Sequence, residues 1–119
     1  MQMIRGAITV KNNSEKEIFD ATEELLIEIL KKNEIAKEDV FAIFFTATDD
    51  LDKAYPAKKA RELGFESIPM MCFQEMKINN SLSKCIRVGL FINLNTGVKH
   101  VYLRDAVILR PDLLEGNNE

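Results

Sequence analysis

Residues 84–94 read KCIRVGLFINL, and their alternation decides the architecture of the chain. Successive side chains of a strand point to opposite faces, so Ile86, Val88, Leu90 and Ile92 share one face and Cys85, Arg87, Gly89 and Phe91 share the other. The first face is wholly aliphatic. The second carries an arginine, and because an unpaired guanidinium is costly to bury, Arg87 has to meet an ion-pair partner, water or an anionic ligand.

Working outward, Asn95-Thr96-Gly97 reads as a turn that joins this strand to a second one over Lys99 to Leu103 as a hairpin. Upstream, Ser67 to Phe73 is a further strand candidate, and Pro56 opens a short helix that Gly64 closes. VFAIFFTAT, residues 40–48, is apolar and β-branched almost throughout, which predicts a central strand covered on both sides. Before it, Ser14 and Glu17 form a capping-box pattern. Ile18, Phe19, Leu25, Leu26, Ile29 and Leu30, with Thr22 between them, follow at helical spacing to about Asn33. The first strand, Met3 to Val10, places Ile4, Gly6, Ile8 and Val10 on one face and Arg5, Ala7 and Thr9 on the other. Strand, long helix, strand, short helix and several strands make an α+β chain, a mixed sheet with helices on one face.

With 119 residues there is room for one domain over residues 1–119, and the polar stretch after Pro111, about residues 111–119, reads as a flexible tail. The net charge of −3 offers no basic field for nucleic acid. No apolar run is long enough to span a membrane, and the opening residues MQMIRGAITV lack the pattern of a secretion signal, so the chain is expected to be cytoplasmic. A single histidine, His100, and two cysteines without metal-ligand spacing, Cys72 and Cys85, argue against a metal site or an acyl-transfer triad. No cofactor is expected.

Four arginines carry the functional question: Arg5 and Arg87 on strands, Arg61 after Tyr55-Pro56, and Arg110 before Pro111. Each one alone reads as an exposed or salt-bridged residue; together they suit a small dianion, because guanidinium forks match carboxylates. Glu75, in Cys72-Phe73-Gln74-Glu75-Met76, could accept a ligand hydroxyl or remain a plain loop carboxylate. Tyr102 reads as a half-buried strand tyrosine whose hydroxyl could reach a carboxylate.

Taken in order, Ile4-Arg5-Gly6-Ala7, Tyr55-Pro56-Ala57-Lys58 with Arg61, Cys72 to Met76, Cys85-Ile86-Arg87-Val88, and His100 to Leu103 with Leu109-Arg110-Pro111-Asp112 resemble the monofunctional, Bacillus-type chorismate mutases along nearly the whole chain. The resemblance implies a homotrimer built as a pseudo-α/β barrel, with clefts between subunits that rearrange chorismate to prephenate for aromatic amino-acid biosynthesis. Arg87 would face the ether oxygen and a carboxylate, and Arg5 would bind carboxylate. Glu75 and Cys72 would meet the ring hydroxyl, with Met71, Phe73 and Gln74 completing that wall. Tyr102 would reach a carboxylate, Tyr55, Ala57, Lys58 and Arg61 would form a rim from the neighbouring side, and Leu109 and Arg110 would approach near the tail. Two rival readings are a non-catalytic sensor of an aromatic or carboxylic acid and another trimeric α+β enzyme such as an imine deaminase.

Overall fold

In the computed structural model, which describes residues 1–111, the aliphatic face of residues 84–94 lies in the core and Arg87 lies on the opposite face. The strands are β1 (Gln2–Thr9), β2 (Val40–Ala47), β3 (Met70–Gln74), β4 (Cys85–Ile92) and β5 (Val101–Tyr102); the helices are α1 (Glu15–Asn33) and α2 (Pro56–Ala60). They form one mixed sheet in the order β3-β2-β4-β1-β5, in which β4 runs antiparallel to both β1 and β2, while β3 and β5 pair in parallel with β2 and β1. The chain is α+β with its helices on one face. No helix among the described residues is long and apolar enough to cross a membrane.

Helix α1 buries Ile18, Ala21, Leu25, Leu26 and Ile29 against Ile4, Ile8, Ile86, Val88 and Leu90. Thr22, also buried, donates its hydroxyl to the Ile18 carbonyl at 2.7 Å and so enters the core without an unmet polar group. Gly6 sets the distance between layers. A Cβ there would stand 2.9 Å from the Val101 carbonyl oxygen and about as close to Ile29 and Leu25, so a side chain would push apart β5 and α1. At the end of α2 the chain leaves the helix through a wide turn over Arg61–Phe65, in which Gly64 takes φ 106°, the left-handed conformation for which glycine was expected.

Three local expectations are corrected. The hairpin between β4 and β5 does not form: both edges of β4 are occupied by β1 and β2, and β5 instead adds to the free edge of β1. The capping box is one-sided. Ser14 accepts the Glu17 N–H at 3.2 Å, but the Glu17 carboxylate bonds the backbone and side-chain amides of Asn12 at 3.0 and 2.8 Å rather than the N–H of Ser14. Finally, β2 is covered on one side only. Ile43 and Phe45 are fully buried beneath the helices, while Phe44, on the opposite face, is 42% exposed. The tail expected beyond Pro111 lies, from Asp112 onward, outside the described residues.

Candidate active site

Five residues stand abreast on the sheet face turned away from the helices. Tyr102 is opposite Ala7, Ala7 opposite Arg87, Arg87 opposite Thr46, and Thr46 opposite Phe73. Strands lie about 4.8 Å apart, so Tyr102 and Arg87 are separated by roughly 10 Å with only the methyl of Ala7 between them. That leaves a floor as wide as a small ring. In the neighbouring row Arg5 is opposite Gly89, which puts it diagonal to Arg87 at about 7–8 Å between α-carbons.

Glu75 follows directly after β3 and prolongs its ladder, its N–H donating to the Ala47 carbonyl at 2.9 Å. Its carboxylate is held on one oxygen by the Thr46 hydroxyl at 2.5 Å, and its other oxygen lies 3.7 Å from the Arg87 guanidinium. That distance is an ion pair too long for a direct hydrogen bond. With Arg87 39% exposed and Glu75 24%, the two open onto a small cavity of about 110 Å³ that Leu82, Cys85 and Leu109 help to line. The start of β4 is fixed by a second network. Thr48 donates its hydroxyl to Asp50 at 2.5 Å and accepts the Cys85 N–H at 3.0 Å, while Asp50 accepts the Lys84 N–H with both oxygens. The backbone two residues before Arg87 is thereby tied to the end of β2.

Around the floor, Ala7, Cys85 and Ala106 form a second buried cluster with Tyr102, Leu82 and Leu109 packed on it. The short helical segment Arg104–Leu109 thus covers one end of the open face and brings Leu109 to Arg87. Burial pushes the Cys85 thiol up to about 11 against the opposing pull of Arg87, so it is a neutral packing group at physiological pH. Burial also raises the Cys72 thiol, and neither cysteine is poised as a nucleophile.

His100, partly buried, accepts the Arg5 backbone N–H on Nδ1 at 2.9 Å, which holds the neutral ring with its proton on Nε2. Burial, then the charges of Arg5 and Arg110, lower its pKa below the usual 6.5. The unfolded chain therefore protonates first as pH falls, so the stability contributed by His100 is complete above about pH 6.5 and is lost as pH drops toward its folded value. We expect the melting temperature to fall between pH 7 and pH 5 with a steeper slope for the wild type than for His100→Gln. Parallel slopes for the two proteins would contradict this.

The remaining residues singled out in the sequence lie elsewhere. Met71 and Phe73 face the open side, Phe73 meeting Phe44 edge-on at 5.7 Å. Cys72, three residues before Glu75 and hence of opposite parity, packs toward the helices, where with Gln74, Tyr55 and Pro56 it lines a separate cleft of about 510 Å³. Tyr55 is 71% exposed at its edge, and Ala57 is buried in the core. Lys58 lies 5.9 Å from the centre of the Phe19 ring, and Arg61 is exposed. Arg110 follows the Arg104–Leu109 segment, near enough for its charge to act on His100. One chain thus holds two groups of residues on opposite sides of its sheet. Thr46 and His100 have roles that the sequence reading did not assign; for Thr46 the cue was a hydroxyl residue on the same strand parity as Phe44.

Residues 1–113 match the family model described as chorismate mutase type I. The chain belongs to that family. It is 43% identical over 114 residues to the chorismate mutase AroH of Bacillus subtilis (strain 168), covering 92% of this chain and 90% of that protein. The AroH of Thermus thermophilus is 45% identical over 114 residues, covering 92% of this chain and 93% of its own length. A solved chorismate mutase from Clostridium thermocellum superposes with a TM-score of 0.88 at 42% identity, covering 91% of this chain and 99% of that one. The chain is accordingly an isomerase of the chorismate mutase type, acting in aromatic amino-acid biosynthesis, and chorismate is the substrate that membership of the family implies.

Proposed function

We propose that the open-face row carries the rearrangement of chorismate to prephenate, with Arg87 at its centre. The reaction is a single pericyclic step in which a carbon–oxygen bond breaks and the ether oxygen gains partial negative charge. It transfers no proton to the protein and forms no covalent intermediate with it. What remains for the chain is to hold the folded substrate and stabilise that charge with fixed donors. Arg87 faces the ether oxygen and one carboxylate, Arg5 and Tyr102 bind carboxylate across the Ala7 floor, and Glu75 accepts the ring hydroxyl. The observation that carries this reading is the 3.7 Å separation of Glu75 and Arg87, a carboxylate and a guanidinium held close without closing on each other.

Tyr55, Lys58, Arg61, Cys72 and Gln74 enter the site from a neighbouring subunit. Met3, Phe41, Phe44, Met71 and Phe73 leave an apolar patch exposed on the open face, with Phe91 in ring contact with Phe41 and Phe44. A patch of this kind marks an interaction surface. A contact between the open face of one copy and the cleft side of the next is heterologous, and such contacts form a ring when the rotation between copies closes; closure after three copies gives the barrel-like homotrimer. The chain works in the cytoplasm as a single domain, without a cofactor.

The direct test is to add purified protein to chorismate and follow the loss of its ultraviolet absorbance. Acceleration over buffer by at least several orders of magnitude is expected. A folded protein that leaves the spontaneous rate unchanged would sink the assignment of the site.

A further inference from the structure

From the polar contacts around Glu75 we infer that Thr46 is a positioning residue: its hydroxyl fixes the Glu75 carboxylate in the orientation that faces Arg87. The inference rests on the reading of Glu75 and Arg87 given above. Three observations carry it. Thr46 sits directly opposite Arg87 in the β2–β4 pairing, so its side chain rises beside the guanidinium on the same face. Its hydroxyl donates to one Glu75 oxygen at 2.5 Å, and the second oxygen of that carboxylate is the one turned to Arg87 at 3.7 Å. The Glu75 backbone is pinned by the Ala47 carbonyl, so the side-chain torsions are what a further contact has to set.

Thr46 suits that task because a β-branched side chain within a strand has few χ1 choices, and its hydroxyl is presented from an interior strand that is paired on both edges. A hydrogen bond to an ionised carboxylate is also among the stronger ones. With one oxygen held, the carboxylate neither swings into a tight fork with Arg87, which would neutralise the cation the reaction needs, nor turns away into the β3–β4 loop. Its remaining lone pairs stay available to a ligand hydroxyl. Thr46 touches no reacting atom and acts through Glu75.

The test compares Thr46→Val, which keeps shape and loses the hydroxyl, with Thr46→Ser, which keeps the hydroxyl, in the wild-type and Glu75→Gln backgrounds. Loss of a charge-assisted hydrogen bond corresponds to a fall in kcat/KM of about ten- to a hundredfold for Thr46→Val, with Thr46→Ser within a few-fold of wild type. In the Glu75→Gln background the same Thr46→Val change should cost less than about threefold, because the group it positions is gone. Full activity of Thr46→Val, an equal loss in both backgrounds, or a serine variant as poor as the valine one would each overturn the inference. Should Glu75→Gln itself retain wild-type activity, the reading of Glu75 fails instead, and the inference falls with it.

Discussion

Replacing Arg87 with a neutral residue of similar length, as in Arg87→Gln or Arg87→Met, is expected to lower kcat by about 10²–10³ or more while KM changes far less. The asymmetry follows from when the charge appears. In bound chorismate the ether oxygen is a weak acceptor, and only as its bond to carbon breaks does it become partly anionic, so the guanidinium contributes mainly to the transition state. Arg87→Lys should fall between, keeping a charge but losing the fork that spans ether oxygen and carboxylate. A purely structural Arg87 makes a different prediction. Its 3.7 Å pairing with Glu75, with both groups partly exposed, is worth no more than about 1 kcal/mol, so neutralising it would lower the melting temperature slightly and leave turnover intact. Melting temperature and single-turnover rate measured on the same variants separate the two, and a folded, fully active Arg87→Gln enzyme would refute the mechanism.

How much of this was legible in the sequence follows from which forces are local. Alternation in residues 84–94 and in β1 places every buried isoleucine, leucine and valine of the two strands on the helix side, since burial of one face leaves no other register open. The spacing in α1 and the left-handed Gly64 were equally readable. The β4–β5 hairpin was not, because a turn signal says only that two strands could pair. Whether they do depends on edges already taken by β1 and β2 from distant parts of the chain. The capping box missed for a related reason: the Ser14 N–H is donated to the Asn12 carbonyl, and the amides of Asn12 take up the Glu17 carboxylate in its place.

Within the site, the sequence pointed to Arg5, Arg87, Glu75 and Tyr102, and the strand register sets Tyr102 and Arg87 in one row with Arg5 diagonal to it. It did not separate Glu75 from Cys72, although three residues along an extended chain reverse the face. Nor did it find Thr46, whose partner lies 29 positions away. The expectation of a two-sided cover for β2 is the most informative miss. Hydrophobicity reports that a face is to be buried and is silent on whether the cover comes from the same chain.

That silence leads to the second large effect, expected for Phe44→Asp. In the single chain Phe44 is partly exposed and meets Phe73 and Phe91 edge-on at 5.7 and 5.3 Å, so the substitution removes ring contacts from an open surface and should leave the protomer folded. In the proposed trimer the same position is covered. Burying an unpaired carboxylate there costs several kcal/mol, and each large apolar side chain denied its cover forfeits about 1.5–3 kcal/mol more, enough to shift association by several orders of magnitude. Sedimentation should therefore show a trimer for the wild type and a folded monomer for Phe44→Asp, with activity at submicromolar concentration almost abolished, since Tyr55, Arg61 and Cys72 no longer reach the Arg87 side of another copy. Phe44→Leu, which keeps the surface apolar, should retain both assembly and most activity. The concentration dependence supplies a further discriminator: activity per chain of the Asp variant should rise as the protein is concentrated, whereas damage to the chemistry itself would be independent of concentration. A wild-type protein that is monomeric and fully active at nanomolar concentration, or an Asp variant that is monomeric and fully active, would show that one chain suffices.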